Sequence, residues 1–303
     1  MKTIEYRQVE GQQQFKWLGV LWLSLVIILF ACGPIAVKVA VDRMPPIFMG
    51  AIRFSLSMPL LLAVLIYLKK DWRLRRAEIN GTVISGLLMG VQICFFYVGT
   101  QFTTAGKSAF LQFSFPLFIT FFGPMFIINE SFSLKKMLGS LMGFAGLFLC
   151  LKQSIEFGKS QLMGDILVLV GGILLSACYV YEKRLINNLG YDKWRLLFWK
   201  FLVGIGFMFV FSSTIETWHI SQYDAPFIAA MVYQVVIMTI FCWVSIQYFI
   251  ANFSAVSVGA FFFLTPVVGL YADVFLGGTR LDLSLVAATL LMVAGIFMVS
   301  RAR

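Results

Sequence analysis

Charge is scarce in this chain. Asp, Glu, Lys and Arg make up only 13% of its 303 residues, about half the ~25% of an ordinary soluble domain. Histidine is nearly absent: His219 stands alone, which leaves nothing to build histidine catalysis on, and it reads as a solvated loop residue. The five cysteines (Cys32, Cys94, Cys150, Cys178, Cys242) lie within apolar segments, without a CxxC pair or a histidine partner. That pattern argues against a zinc site and a disulfide framework. No GxxxxGK[ST] run occurs, so the sequence offers no P-loop for ATP. The sequence calls for no cofactor.

Apolar side chains fill the space that charge leaves. The chain is 60% hydrophobic with a mean hydropathy of +0.89, and no soluble domain remains once the apolar runs are removed. This is the composition of an integral membrane protein. The net charge of +10 would suit a nucleic-acid binder, but the Lys and Arg residues sit in short loops between apolar runs. They form a membrane-topology signal, not a phosphate-binding patch.

A span needs roughly 20 apolar residues, and ten runs qualify: 17–38, 46–68, 80–100, 104–128, 134–152, 162–183, 195–214, 227–248, 254–277 and 282–300. The first run, continuing to Val41, is too long for a signal-peptide core. With the N-terminus inside, the inner segments collect most of the Lys and Arg, notably Lys69–Arg76. The outer ends keep Lys38, Arg43, Lys107, Lys152, Lys159 and Arg280. Both termini are therefore expected in the cytoplasm of a multi-pass protein of the cell membrane.

Thr104, Ser108 and Gln112 recur at steps of four and share one face of an otherwise apolar helix. Pro116 then breaks the helix ladder just beyond Gln112. Ser254–Pro266 aligns without a gap on Thr104–Pro116, with Ala105/Ala255, Phe113/Phe263 and Pro116/Pro266 identical. Further matches join spans one and six (Ala31-Cys32, Ala177-Cys178), two and seven (Arg53-Phe54, Lys200-Phe201), and five and ten (Ala145-Gly146, Ala294-Gly295). Each half has an odd number of spans, so the second half enters the membrane from the opposite side. The expected fold is all-α, with ten transmembrane helices in two inverted five-helix repeats, residues 17–152 and 162–300, around a central cavity. Residues 1–16 form a cytoplasmic lead. Inverted repeats of this kind recur in secondary transporters.

The pattern of Lys38, Met44-Pro45-Pro46 with Arg53, Thr104–Pro116 followed by Asn129-Glu130, Gly139–Gly146, Gly164-Asp165 and Ala255–Pro266 resembles EamA-type members of the drug/metabolite transporter superfamily over essentially the whole chain. One departure is Gly277-Gly278-Thr279, standing where the resemblance implies Gly-Glu in the second repeat. The resemblance implies transport of small metabolites or drugs, and a cavity lined by spans one, three, four, six, eight and nine.

Within such a cavity Ser108 and Gln112 are the first candidates for substrate binding, with helix–helix hydrogen bonding as the alternative reading. Gln92 and Phe96 from span three, Tyr179 from span six, Trp243 from span eight and Phe262 from span nine add aromatic and amide surface. Lys38, Arg53, Glu182 and Asp273 are candidates for gating or proton coupling. Asp273 has a salt bridge to Lys38 or Arg280 as its alternative. Arg53 would bridge helices or gate the outer mouth, and Lys200 would snorkel toward the interface. Gly86-x-x-x-Gly90 and Gly139-x-x-x-Gly143 suit close packing of helices.

The leading expectation is a secondary exporter of small polar or amphipathic metabolites, amino acids first, with protons as one candidate coupling ion. The alternative within transport is efflux of aromatic or cationic toxic compounds. An intramembrane enzyme would need a converging catalytic set that the sequence does not display. The expected partners are a small-molecule substrate and the lipid bilayer, with no nucleic acid, and the chain is expected as a monomer or homodimer.

Overall fold

The computed structural model describes residues 17–127, 132–151, 162–265, 267–268 and 283–301. They form helices and connecting turns. In chain order these are α1 (Trp17–Val41), α2 (Pro46–Tyr67), α3 (Ile79–Phe102), α4 (Ala105–Phe126), α5 (Leu134–Leu151), α6 (Leu162–Asn187), α7 (Lys193–Ile215), α8 (Ala225–Asn252), α9 (Ala255–Leu264) and α10 (Leu283–Arg301). Seven of them, α1–α4 and α6–α8, are long and apolar enough to cross a bilayer. Helices suit that setting because each satisfies its own backbone polar groups where water is absent.

Polar residues mark where several helices begin. Thr104, Asp192, Asp224 and Ser254 stand at the caps of α4, α7, α8 and α9, and each accepts a hydrogen bond from a first-turn backbone N–H. Thr104 therefore serves as a cap and does not extend the polar stripe. Large apolar side chains such as Leu21, Leu56, Ile66, Val210 and Leu290 are exposed, as a lipid-facing surface requires. His219 is exposed in the turn between α7 and α8.

Apolar side chains gain little by leaving lipid for one another, so the helices associate through close packing of small residues. α5 lies along α10, where a Cβ on Gly295 would fall 2.4 Å from the Gly139 carbonyl oxygen. α3 crosses α7, where a Cβ on Gly86 would meet the Lys200 carbonyl oxygen at 2.8 Å. Both small-residue pairs read from the sequence are thus used between helices of the same chain. The two repeats interleave: α2 and α3 of the first pack on α7 of the second, and α3 and α4 pack on α6.

Candidate functional site

Three helices lose regular geometry around one cavity. α1 is interrupted at Cys32, between Trp17–Ala31 and Gly33–Val41, with Pro34 in the first turn of its second piece. α4 stops at Gln112 and resumes at Phe115, with Pro116 in its new first turn. The Ser114 hydroxyl donates to the Leu111 carbonyl at 2.6 Å within that break. In α8, Tyr233–Trp243 forms an 11-residue π-helix, a local widening that often accompanies functional sites. The matching helix of the second repeat, α9, tightens into a 3-10 turn at Phe262–Leu264. Irregular backbone inside a membrane is tolerated where it is buried in protein or lines a cavity.

These interruptions border a cavity of about 40 Å³, room for about three waters at ~10–15 Å³ each. Gln92, Phe96, Gln112, Tyr179, Trp243 and Arg53, all singled out from the sequence, line it together. Gln112 is 5% exposed and its Oε1 has no hydrogen-bond partner among the described residues. Ser108 is not among its lining residues: its hydroxyl lies 2.6 Å from Thr100 Oγ1, which ties α4 to α3. Phe262 sits one layer behind, edge-on to Phe30 at 5.6 Å and to Phe115 at 5.2 Å.

Arg53 bridges three helices. Its Nε donates to Thr239 Oγ1 at 3.0 Å on α8, and its Nη1 donates to the Tyr97 hydroxyl on α3. The Thr239 hydroxyl is itself placed by donating to the Gln234 carbonyl, five residues back, at 2.8 Å. That step of five belongs to the π-helix, so the widening orients the Arg53 partner. Among the described residues no carboxylate lies within ion-pair distance of Arg53.

Lys200 corrects an expectation. It does not snorkel: it is fully buried, paired with Glu182 Oε2 at 2.7 Å and with Gln247 Oε1 at 3.0 Å. Its ammonium also lies 5.2 Å from the centre of the Trp243 ring, a wall of the cavity. Glu182 is therefore a buried partner of Lys200. The single-sequence pattern hid this because the two residues stand 18 apart on different helices.

Lys38 is likewise committed, to Asp42 at 3.1 Å and the Gln101 carbonyl at 3.0 Å. Asp273, proposed for coupling, lies outside the described residues, as do Glu130 and Arg280. At one end of the helices Arg43 holds Asp224 by two hydrogen bonds of 2.9 and 2.8 Å. Donation from this guanidinium is the main reason that the Asp224 carboxyl is held below its ordinary range. Glu216 accepts from the Ile47 and Phe48 amides, at 2.9 Å each, at the start of α2. At the opposite end Arg195 pairs with Glu78 at 2.8 Å and Asp71 at 3.5 Å. Contacts between the repeats thus hold both ends of the path together.

The sequence reading passed over Phe30, Pro34, Tyr97, Phe113, Leu175 and Met238, which also line the cavity. Tyr97 was within reach. It stands seven residues before Thr104, as Gln247 stands seven before Ser254, so the repeat makes it the counterpart of Gln247.

The description of the EamA-like transporter family matches residues 17–152 and again 162–301. Similar proteins include YoaV of Bacillus subtilis (strain 168), described as an uncharacterized transporter. It is 23% identical over 283 residues, spanning 93% of this chain and 95% of YoaV. A protein of Salmonella typhimurium described as a probable amino-acid metabolite efflux pump is 23% identical over 284 residues, spanning 90% and 91% of the two chains. A crystal structure at 16% identity superimposes with a TM-score of 0.74 over 93% of this chain and 97% of that one, which shows the same fold.

Proposed function

Since the chain belongs to the EamA-like transporter family, we propose that it is a secondary exporter of small polar or amphipathic metabolites, amino acids first among them. The observation that carries this reading is the cavity at the meeting of the broken helices, where Arg53, Gln92 and Gln112 face Phe96, Tyr179 and Trp243. Amides and a cation among aromatic rings give orientation to a small solute without enclosing it in charge. A relative described as a probable amino-acid metabolite efflux pump, alike over nine-tenths of both chains, supports the amino-acid class. The buried cation Arg53 disfavours cationic toxic compounds, because like charge in a low-dielectric site is repelled strongly.

At about 40 Å³ the cavity is too small for an amino acid, so loading requires the walls to part. Rocking of one repeat against the other would open one mouth while the other stays joined. The cytoplasmic placement of both termini follows from the Lys and Arg distribution and belongs to the same proposal, as does proton coupling. The test is uptake into proteoliposomes from a pool of labelled amino acids, with and without a proton gradient, wild type beside Gln112→Ala. Saturable uptake with at least a several-fold rise in KM for the variant supports the cavity as the site. Uptake unchanged by Gln112→Ala refutes it.

A further inference from the structure

The two halves of this protein treat matching cations differently. Arg53 and Lys200 occupy equivalent places, each followed by a phenylalanine, Phe54 and Phe201. The Arg53 guanidinium carbon lies 4.9 Å from the centre of the Phe54 ring and the Lys200 ammonium 5.7 Å from that of Phe201. Those two rings meet edge to face at 5.0 Å, so the pseudo-twofold relation between the repeats runs through this contact. Each cation also reaches an equivalent neutral partner: Arg53 reaches Tyr97, and Lys200 reaches Gln247.

The carboxylate is where the equivalence ends. Lys200 has Glu182, four residues past Cys178 on α6. Four residues past the matching Cys32 on α1 stands Ala36. Arg53 is 2% exposed, and its partners Thr239 and Tyr97 are neutral. Its third nitrogen, Nη2, makes no hydrogen bond among the described residues. Neutral hydroxyls and an aromatic face lower the energy of a buried cation without neutralising it. Lys200 is sealed inside the protein, whereas Arg53 opens onto the cavity.

We propose that Arg53 anchors a carboxylate of the transported solute, which supplies from outside the acid that Glu182 supplies to Lys200 within the chain. A carboxylate is planar and matches the guanidinium fork. Gln112 adds a second point of recognition: the residue lines the cavity and its Oε1 is buried and unpartnered, so once the walls part it can accept from an N–H or O–H of the same solute. The ligand class is a small monocarboxylate carrying a hydrogen-bond donor, of which an α-amino acid is the simplest. This deepens the transport reading and rests on it for the cargo, but the binding chemistry stands on the geometry alone.

Binding and flux must therefore be measured separately. Purified wild-type protein in lipid nanodiscs is melted with L-phenylalanine, 3-phenylpropionate, phenylalaninamide and phenethylamine at equal concentrations, and the same four compete for amino-acid flux in proteoliposomes. The expected result is stabilisation by the two carboxylates and at least tenfold weaker effects from the amide and the amine. In Arg53→Gln the carboxylate preference should fall toward unity. Arg53→Lys, which keeps the charge but loses the fork, should retain only part of it. Equal effects of carboxylate and amide on the wild type would overturn the proposal, whether or not the variants fold. Carboxylate-selective stabilisation without flux upholds the anchor and removes the carrier reading. Flux without carboxylate selectivity does the reverse.

Discussion

Buried charge decides most of what single side chains do here. An ionisable group at mid-membrane costs at least ~2.5–3.5 kcal/mol on insertion scales, so Lys200 is retained only because Glu182 sits 2.7 Å away. Removing one partner of a buried pair typically costs ~3–5 kcal/mol, whereas replacing both by apolar groups can be nearly neutral. Lys200→Met and Glu182→Gln are each expected to lower stability by about that amount, and the double variant Glu182→Leu/Lys200→Met should recover most of it. Unfolding in detergent across the double-mutant cycle reads the coupling, and additive losses would mean that the pair is not acting as one unit. Asp224 at the start of α8 behaves differently. Its carboxyl is held below the ordinary range by Arg43, so the stabilisation is complete above the ordinary aspartate value and is lost only as pH falls through the lowered one. The stability difference between wild type and Asp224→Asn should therefore stay constant from about pH 5 to 8 and shrink only below about pH 4. A difference that vanishes between pH 6 and 8 would contradict this. None of these partnerships could be seen in the sequence, because each joins helices far apart in the chain; only the repeat-matched positions of Arg53 and Lys200 hinted at them.

Helices were far more legible than their partners. Uninterrupted apolar length marks a span, and Pro116 announced the break in α4, which falls at Phe113-Ser114 just before it. The interruption of α1 at Cys32 has a similar signal in Pro34. The π-helix of α8 has none: Tyr233–Trp243 contains neither glycine nor proline, and the five-residue step of the Thr239 side-chain bond to Gln234 follows from its extra width. The small-residue pairs were legible as packing motifs but not in their partners. Gly295 illustrates what those partners demand. A Cβ there would fall 2.4 Å from the Gly139 oxygen and 2.8 Å from the Gly143 nitrogen, both rigid backbone atoms. Gly295→Ala should therefore force α5 and α10 apart and cost ~1–3 kcal/mol. Gly206→Ala on the exposed side of α7, where nothing lies within 4 Å, should be neutral or slightly stabilising. Thermal melts of the two variants side by side check the contrast, and equal effects would refute the close approach of α5 and α10.

Two interleaved repeats with a small cavity between them describe a protein caught with both mouths joined. Arg43–Asp224 and the Glu216 cap on α2 close one end, and Arg195 with Glu78 and Asp71 closes the other. Clasps at both ends suit the proposed alternating access, in which one mouth opens while the other holds. The repeat that made this arrangement legible was carried by a handful of identities: Ala105/Ala255, Phe113/Phe263 and Pro116/Pro266. The cavity lining was legible where polar residues interrupted apolar helices, as at Gln92, Gln112 and Arg53. Apart from Phe96 and Trp243 it was not legible where the lining is apolar, as at Phe30, Leu175 and Met238, because such side chains look the same whether they face lipid, a neighbour or a cargo. The most direct test is trans-stimulation: proteoliposomes loaded with an unlabelled amino acid from the transported class are given the labelled one outside. A carrier that alternates between two mouths returns faster when loaded, so preloading should raise the initial uptake rate several-fold over empty vesicles. Uptake that is unsaturable and indifferent to preloading would describe a pore or a leak and would contradict the alternating-access reading.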